Sequence, residues 1–153
     1  MKTILVTLVI SLSLVAGCMK SQDATDEKEL MTAETFKVIV GMQWILETMT
    51  VDGQEYELAD EKPFIQISDD QRVTGFASIN RFFGSMNIDS EGNVSWPMPL
   101  ATTRMAGPPE SMKQETMFLK ILQETDRLAR SGIRLYATSK DGNSELVFYV
   151  PVE

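Results

Sequence analysis

Histidine is absent from all 153 residues, and the single cysteine, Cys18, ends an apolar N-terminal run. Those two facts remove Ser-His-Asp and Cys-His catalysis and the usual zinc sets, because each needs an imidazole or clustered thiolates. Carboxylates are what remains for acid–base or metal chemistry. They pair at Asp69 with Asp70 and at Asp89 with Glu91. Both pairs fall in turn-forming segments, where aspartate is favoured because it accepts from nearby backbone N–H groups. Asp141-Gly142-Asn143-Ser144-Glu145 superficially suggests a calcium loop. It lacks the full EF-hand ligand spacing, and a hairpin turn accounts for it. The 10 methionines raise the idea of Cu(I) carriage, since thioether sulfur suits that ion, but they are scattered and read as core filling. The sequence therefore points to a protein that is not an enzyme and that binds no metal and no cofactor.

Cys18 has a different chemistry open to it. Met1-Lys2 is a positive start, Ile4 to Leu14 is an apolar run broken only by Thr7, Ser11 and Ser13, and Val15-Ala16-Gly17-Cys18 supplies small residues before the thiol. That pattern is a secretory leader, and the run is too short for the roughly 20 residues a membrane-spanning helix needs. The last four residues are similar to a bacterial lipobox, which implies a signal peptide over residues 1–17 and acylation of Cys18. Stable anchoring needs more than one chain, a condition that triple acylation meets. Met19, rather than aspartate, follows the cysteine, which in a Gram-negative lipoprotein implies the outer membrane. The only basic residue removed with the leader is Lys2, so the mature chain is one unit more acidic than the net charge of −8 of the whole. Nucleic acid is excluded as a partner on that ground, and no basic cluster is evident for anionic headgroups. The lipid bilayer, reached through acylated Cys18, is the expected partner.

The elements that follow are short. Residues 18–35 read as a lipidated cysteine and a flexible polar tether, with residues 36–153 as the domain. Residues 34–42 suit a short helix or an irregular lead-in. Strands are expected at Trp44–Val51 and Glu55–Leu58 about an Asp52-Gly53 turn, then at Phe64–Ser68 and Arg72–Ser78. The latter strand places Val73, Gly75, Ala77 and Ile79 on one face and exits in a turn through Asn80 and Gly84, types that tolerate left-handed backbone. A further hairpin is expected about Asp89–Gly92, and because Pro97 and Pro99 forbid regular pairing, Met98–Ala101 is expected as an edge or a crossing segment. Pro108-Pro109-Glu110 starts a helix running to about Glu124, with Met112, Phe118, Leu119, Ile121 and Leu122 on its apolar face. Three closing strands, Arg127–Arg130, Ile133–Thr138 and Glu145–Val150, complete an α+β chain.

Two stretches, Arg72 to Met86 and Leu100 to Pro109, together with a Trp-x-Leu opening at Trp44 and Leu46, resemble the two signatures of the META domain, the family that includes the heat-inducible lipoprotein HslJ. The resemblance runs from about Trp44 to the C-terminus. It implies a small antiparallel, incompletely closed β-barrel with the helix packed against it. It also implies a non-enzymatic role in envelope maintenance or stress tolerance. Asn80, Arg81, Trp96 and Arg104 are the candidate rim of a binding mouth. Against that stands a structural role in which Arg81 and Arg104 fasten two irregular segments by donating to carbonyls or carboxylates. Trp44, Phe76, Phe82, Phe83 and Trp96 are likewise either core or an exposed binding cluster. A second function is open, a binding module holding an acyl chain or amphipathic peptide in the open barrel, and an envelope protein or a lipid is its ligand. Members of the family often carry a cysteine before the Asn-Arg of the first signature and another before the proline of the second, which implies a disulfide. Here those positions are Ile79 and Gly107, expected as neighbours with Ile79 filling the space of the bridge.

Overall fold

Period-two alternation of apolar residues builds a sheet that curls round one helix. The computed structural model describes residues 27–152, so the leader and Cys18 lie outside the described residues. In chain order the elements are β1 (Glu29–Leu30), a 3-10 turn (Phe36–Ile39), β2 (Gln43–Val51), β3 (Gln54–Tyr56), β4 (Phe64–Ile67), β5 (Arg72–Phe76) and β6 (Arg81–Ser85). Then come β7 (Asn87–Ile88), β8 (Val94–Ser95), β9 (Ala101–Thr102), α1 (Pro109–Glu124), β10 (Thr125–Ser131), β11 (Arg134–Ser139) and β12 (Glu145–Tyr149). One antiparallel sheet runs β1-β10-β11-β12-β2-β4-β5-β6-β9, with β3 folded back on β2 and β7–β8 forming a separate hairpin. β1 and β9 are its edges, so the barrel is not closed, in agreement with the expected α+β class.

β2 is long enough to serve three neighbours. Its first half pairs with β4 through Trp44↔Ile65, its second with β3 through Thr50↔Glu55, and its other side with β12. Asp52 and Gly53 both take positive φ, 50° and 78°, the backbone that a two-residue hairpin with right-handed strand twist requires. Inward positions bury Trp44, Leu46, Ile65, Val73, Phe82, Leu135, Leu146 and Phe148. From α1, the Phe118 ring lies 5.9 Å from that of Phe82 on β6 and 6.2 Å from that of Phe148 on β12. Since β2, β4 and β5 separate those two strands, one ring can reach both only if the sheet wraps it. At Gly75 a Cβ would collide with the Phe64 carbonyl oxygen and the Phe82 ring, which is why the wrapped wall needs glycine there.

Three expectations are corrected. The folded body begins before residue 36: Glu29 and Leu30 pair with Arg130 and Ala129 of β10, and Met31 is fully buried, its N–H donating to Leu128 O at 2.8 Å. A single apolar pair within a polar stretch suffices to cover an edge strand. Second, Arg81–Ser85 is a strand and not the end of a turn. Phe82 points inward while Arg81, Phe83 and Ser85 point out, and the chain reverses just before, at Ser78, whose φ is 110°. Neither Asn80 nor Gly84 takes a positive φ. Third, Met112 is exposed; the buried face of α1 is Ser111, Gln114, Phe118, Ile121 and Leu122, so its first half turns polar groups inward.

Across the outer face, Arg134 on β11 grips Glu47 on β2, with Nε to Oε2 at 2.6 Å and Nη2 to Oε1 at 2.9 Å. The hydrogen bond from Arg134 holds the Glu47 carboxyl below its usual range. A carboxyl whose value is lower folded than unfolded adds stability above the unfolded value and loses it as pH falls through the folded one. Glu47→Gln is expected to cost less than about 1 kcal/mol near pH 7, because the pair is part-exposed, and nothing once acid has protonated the wild-type group. Urea midpoints followed from pH 7 down through the acid range check this; a loss that stays the same at every pH would contradict it.

Candidate functional site

Where the two signature stretches meet α1, polar groups converge on Asn80. Its side chain is almost fully buried. Nδ2 donates to Glu115 Oε1 at 2.7 Å and to Met105 O at 3.2 Å, while Oδ1 accepts from Thr103 Oγ1 at 2.8 Å and from Met105 N at 2.7 Å. Glu115 Oε2 in turn accepts the backbone N–H groups of Ile79 and Asn80, at 3.1 and 2.7 Å. A second set is built on the neighbouring helix residue. Gln114 Nε2 donates to Ser78 Oγ at 2.5 Å and to Glu61 O at 3.0 Å, Ser78 Oγ donates to Glu61 O at 3.1 Å, and Gln114 Oε1 accepts Ala59 N at 2.7 Å. The turn after β5, the segment 103–105 that follows β9, the loop 59–61 and the helix are thus fastened by side chains whose donors and acceptors are satisfied.

The fastening expected of Arg81 and Arg104 is therefore done by Asn80, Thr103, Gln114 and Glu115. Asn80 leaves the candidate rim: every one of its side-chain polar atoms is used inside the fold. Arg81 and Arg104 are exposed, and neither side chain makes a hydrogen bond or ion pair with the described residues. Trp96 is half-buried against the core, with Nε1 enclosed and unpartnered. Of the aromatics, Trp44 and Phe82 are core, and Phe83 is 64% exposed. Gln114 and Glu115 were missed because a Gln-Glu pair on a helix reads as a solvated face; the available signal was their position four and three residues before Phe118, on the turn facing the signatures.

The carboxylate turns act on their own backbone. Asp89 accepts the N–H groups of Glu91 and Asn93, and Asp141 accepts that of Asn143. The Asn93 side chain and the Ser139 hydroxyl, respectively, hold these two carboxyls below the usual range, as the Ser68 hydroxyl does Asp70. Among the described residues no three acidic side chains are grouped to hold a metal ion. Two open clefts stand out. One, about 640 Å³, lies between loop 56–61 and the start of α1, and the other, about 510 Å³, between the Asp52 turn and Lys140-Asp141. None of the buried apolar core side chains lines either cleft.

An open antiparallel barrel, filled by its own side chains and locked to one helix by an Asn–Glu clasp, defines a small α+β domain whose best-formed polar site is architectural. The profile of the META domain matches residues 37–150, and the chain belongs to that family. It is similar in fold to a protein from Burkholderia xenovorans solved by NMR, at 16% identity and a TM-score of 0.66 over 100% of both chains. A second NMR structure matches at 21% identity and a TM-score of 0.56, over 78% of this chain and 95% of that one. A DUF4847 family protein from Bacteroides vulgatus, a crystal structure, matches at 10% identity and a TM-score of 0.58, over 77% of this chain and 98% of that one. No curated protein matches this sequence.

Proposed function

We propose that this META-domain chain is a lipid-anchored, non-enzymatic protein of the bacterial envelope, on the periplasmic face of the outer membrane where one exists, serving envelope maintenance or stress tolerance. The observation that carries the reading is Val15-Ala16-Gly17-Cys18 behind an apolar leader. The domain supports it in two ways. Among the described residues no helix is long and apolar enough to cross a membrane, which is compatible with attachment through the cysteine. The polar groups the signatures bring together are consumed by the clasp, which argues against a reacting centre there. The rival reading, an acyl chain or amphipathic peptide held within the barrel, loses support because Trp44, Phe82, Phe118 and Phe148 occupy that space.

Cys18→Ser tests the anchor. The variant is expected to shift from the membrane to the soluble fraction with an unchanged unfolding midpoint. Retention of Cys18→Ser in washed membranes, or failure of labelled palmitate to enter the wild-type chain, would sink the assignment.

A further inference from the structure

The β6–β9 edge carries side chains that neither the core nor the clasp employs. Of the arginines described, Arg72 pairs with Asp70, Arg127 with Asn93 and Asp126, Arg130 with Gly132 O, and Arg134 with Glu47. Arg81 and Arg104 are the two left without a side-chain partner among the described residues, and the fold brings them to one place: Thr103, which precedes Arg104, donates its N–H to Arg81 O at 3.0 Å. Beside them stand Phe83 and Met105, 64% and 58% exposed, and Met98, three residues before β9 in the chain, is 72% exposed; these are the most exposed large apolar side chains described apart from Val152 near the C-terminus. Phe83 lies opposite Ala101 in the β6–β9 register, and Met105 is bonded through its backbone to Asn80, next to Arg81.

We propose that this edge is a membrane-contacting face, with Arg81 and Arg104 on anionic phospholipid headgroups and Phe83, Met98 and Met105 in the interfacial layer. The inference deepens the lipid-anchor reading and rests on it. Charge complementarity selects the occupant. In a chain of net charge −8, an approach to an anionic surface is repelled everywhere except where cations stand free of carboxylates. Shape favours a bilayer over a folded partner. Neither of the two open clefts involves these five residues, and protruding thioether and phenyl tips on a sheet edge need a yielding medium rather than a fitted pocket. The contact need not be strong. From Cys18 to Glu29 the chain can extend at most about 40 Å, so an acylated cysteine holds the domain at high effective concentration over the surface. Composition alone hides the face, because Arg81 and Arg104 are far apart in sequence and form no basic run.

The test removes the anchor, so that its outcome is separate from that of the palmitate and fractionation experiments. The mature chain with Cys18→Ser is sedimented at low ionic strength with vesicles of phosphatidylglycerol and, separately, of phosphatidylcholine. Binding to the first and not the second is expected, lost in high salt. Arg81→Ser with Arg104→Ser should lower the partition coefficient roughly 30-fold, at about fivefold per basic residue near an anionic surface. Phe83→Ser with Met98→Ser should lower it further, while the unfolding midpoint of each pair stays near that of the parent. Absence of binding to phosphatidylglycerol, equal binding to both lipids, or indifference to the arginine pair would overturn the proposal. So would a photo-crosslinker at position 83 that captures an acidic envelope protein and no lipid in native membranes.

Discussion

Asn80→Asp is expected to destabilise the domain by about 3 to 5 kcal/mol, a large part of the 5–15 kcal/mol typical of a whole domain. The substitution keeps size and shape, so packing is not what changes. Nδ2 now donates to Glu115 Oε1 and Met105 O; aspartate replaces that donor by a charged acceptor facing another carboxylate and a carbonyl. Each lost bond to a charged group is worth about 1.5–3 kcal/mol, and the like-charge contact adds to it. Adding Glu115→Gln to Asn80→Asp should return about 2 kcal/mol, because the glutamine amide can donate where Asn80 did and its carbonyl can still accept the backbone N–H groups of residues 79 and 80. Arg81→Ser, one residue away and free, should change stability by no more than about 0.5 kcal/mol. Urea midpoints at constant slope measure all three. A loss below about 1 kcal/mol for Asn80→Asp would show that the clasp does not hold the signatures to the helix.

The contrast between Asn80 and Arg81 also explains what could be read in the sequence. Alternation in Trp44–Val51, the Asp52-Gly53 turn and the Pro108-Pro109 helix start are local signals, and β2, its hairpin and α1 follow them within a residue or two. β1 and β6 were not legible, for different reasons. Glu29-Leu30 becomes a strand only because β10 offers it an edge, a tertiary effect with no local period. In Arg81–Ser85 the outward Phe83 breaks the expected polar face, and Asn80 and Gly84 look like turn formers. The site was legible in its location and not in its members. The signatures marked where irregular segments meet, but the groups that join them include Gln114 and Glu115, whose role depends on the helix docking with its polar first half inward. Arginine was the stronger candidate by chemistry, and the shorter, almost fully buried amide does the fastening because it can be enclosed with every donor and acceptor paired, whereas burying an unpaired guanidinium is costly.

A second large effect is expected from Ile79→Cys with Gly107→Cys. The Ile79 side chain lies over Gly107: a Cβ on the glycine would stand 2.5 Å from Ile79 Cδ1, 2.9 Å from Cγ1 and 3.3 Å from Cγ2. Ile79 Cβ is bonded to both Cγ atoms, so the two Cβ positions are at most about 4.4 Å apart, inside the ~3.5–4.5 Å that a disulfide spans. Gly107 is not in the left-handed region, so a side chain there carries no backbone strain once Ile79 is removed. The positions are therefore the neighbours that the family resemblance implied, with isoleucine occupying the volume of a bridge. Closing a loop of roughly 30 residues should stabilise by about 3.5 kcal/mol, less about 1 kcal/mol for the isoleucine packing surrendered. In a Cys18→Ser background, so that no third thiol competes, the double variant should oxidise in air, lose its two titratable thiols and unfold at higher urea. Reducing agent should reverse the gain and leave it below wild type, since the lost isoleucine then has no compensation. Thiols that stay titratable after exposure to oxygen, or an oxidised form no more stable than the reduced one, would mean that the two signatures are not joined at this point.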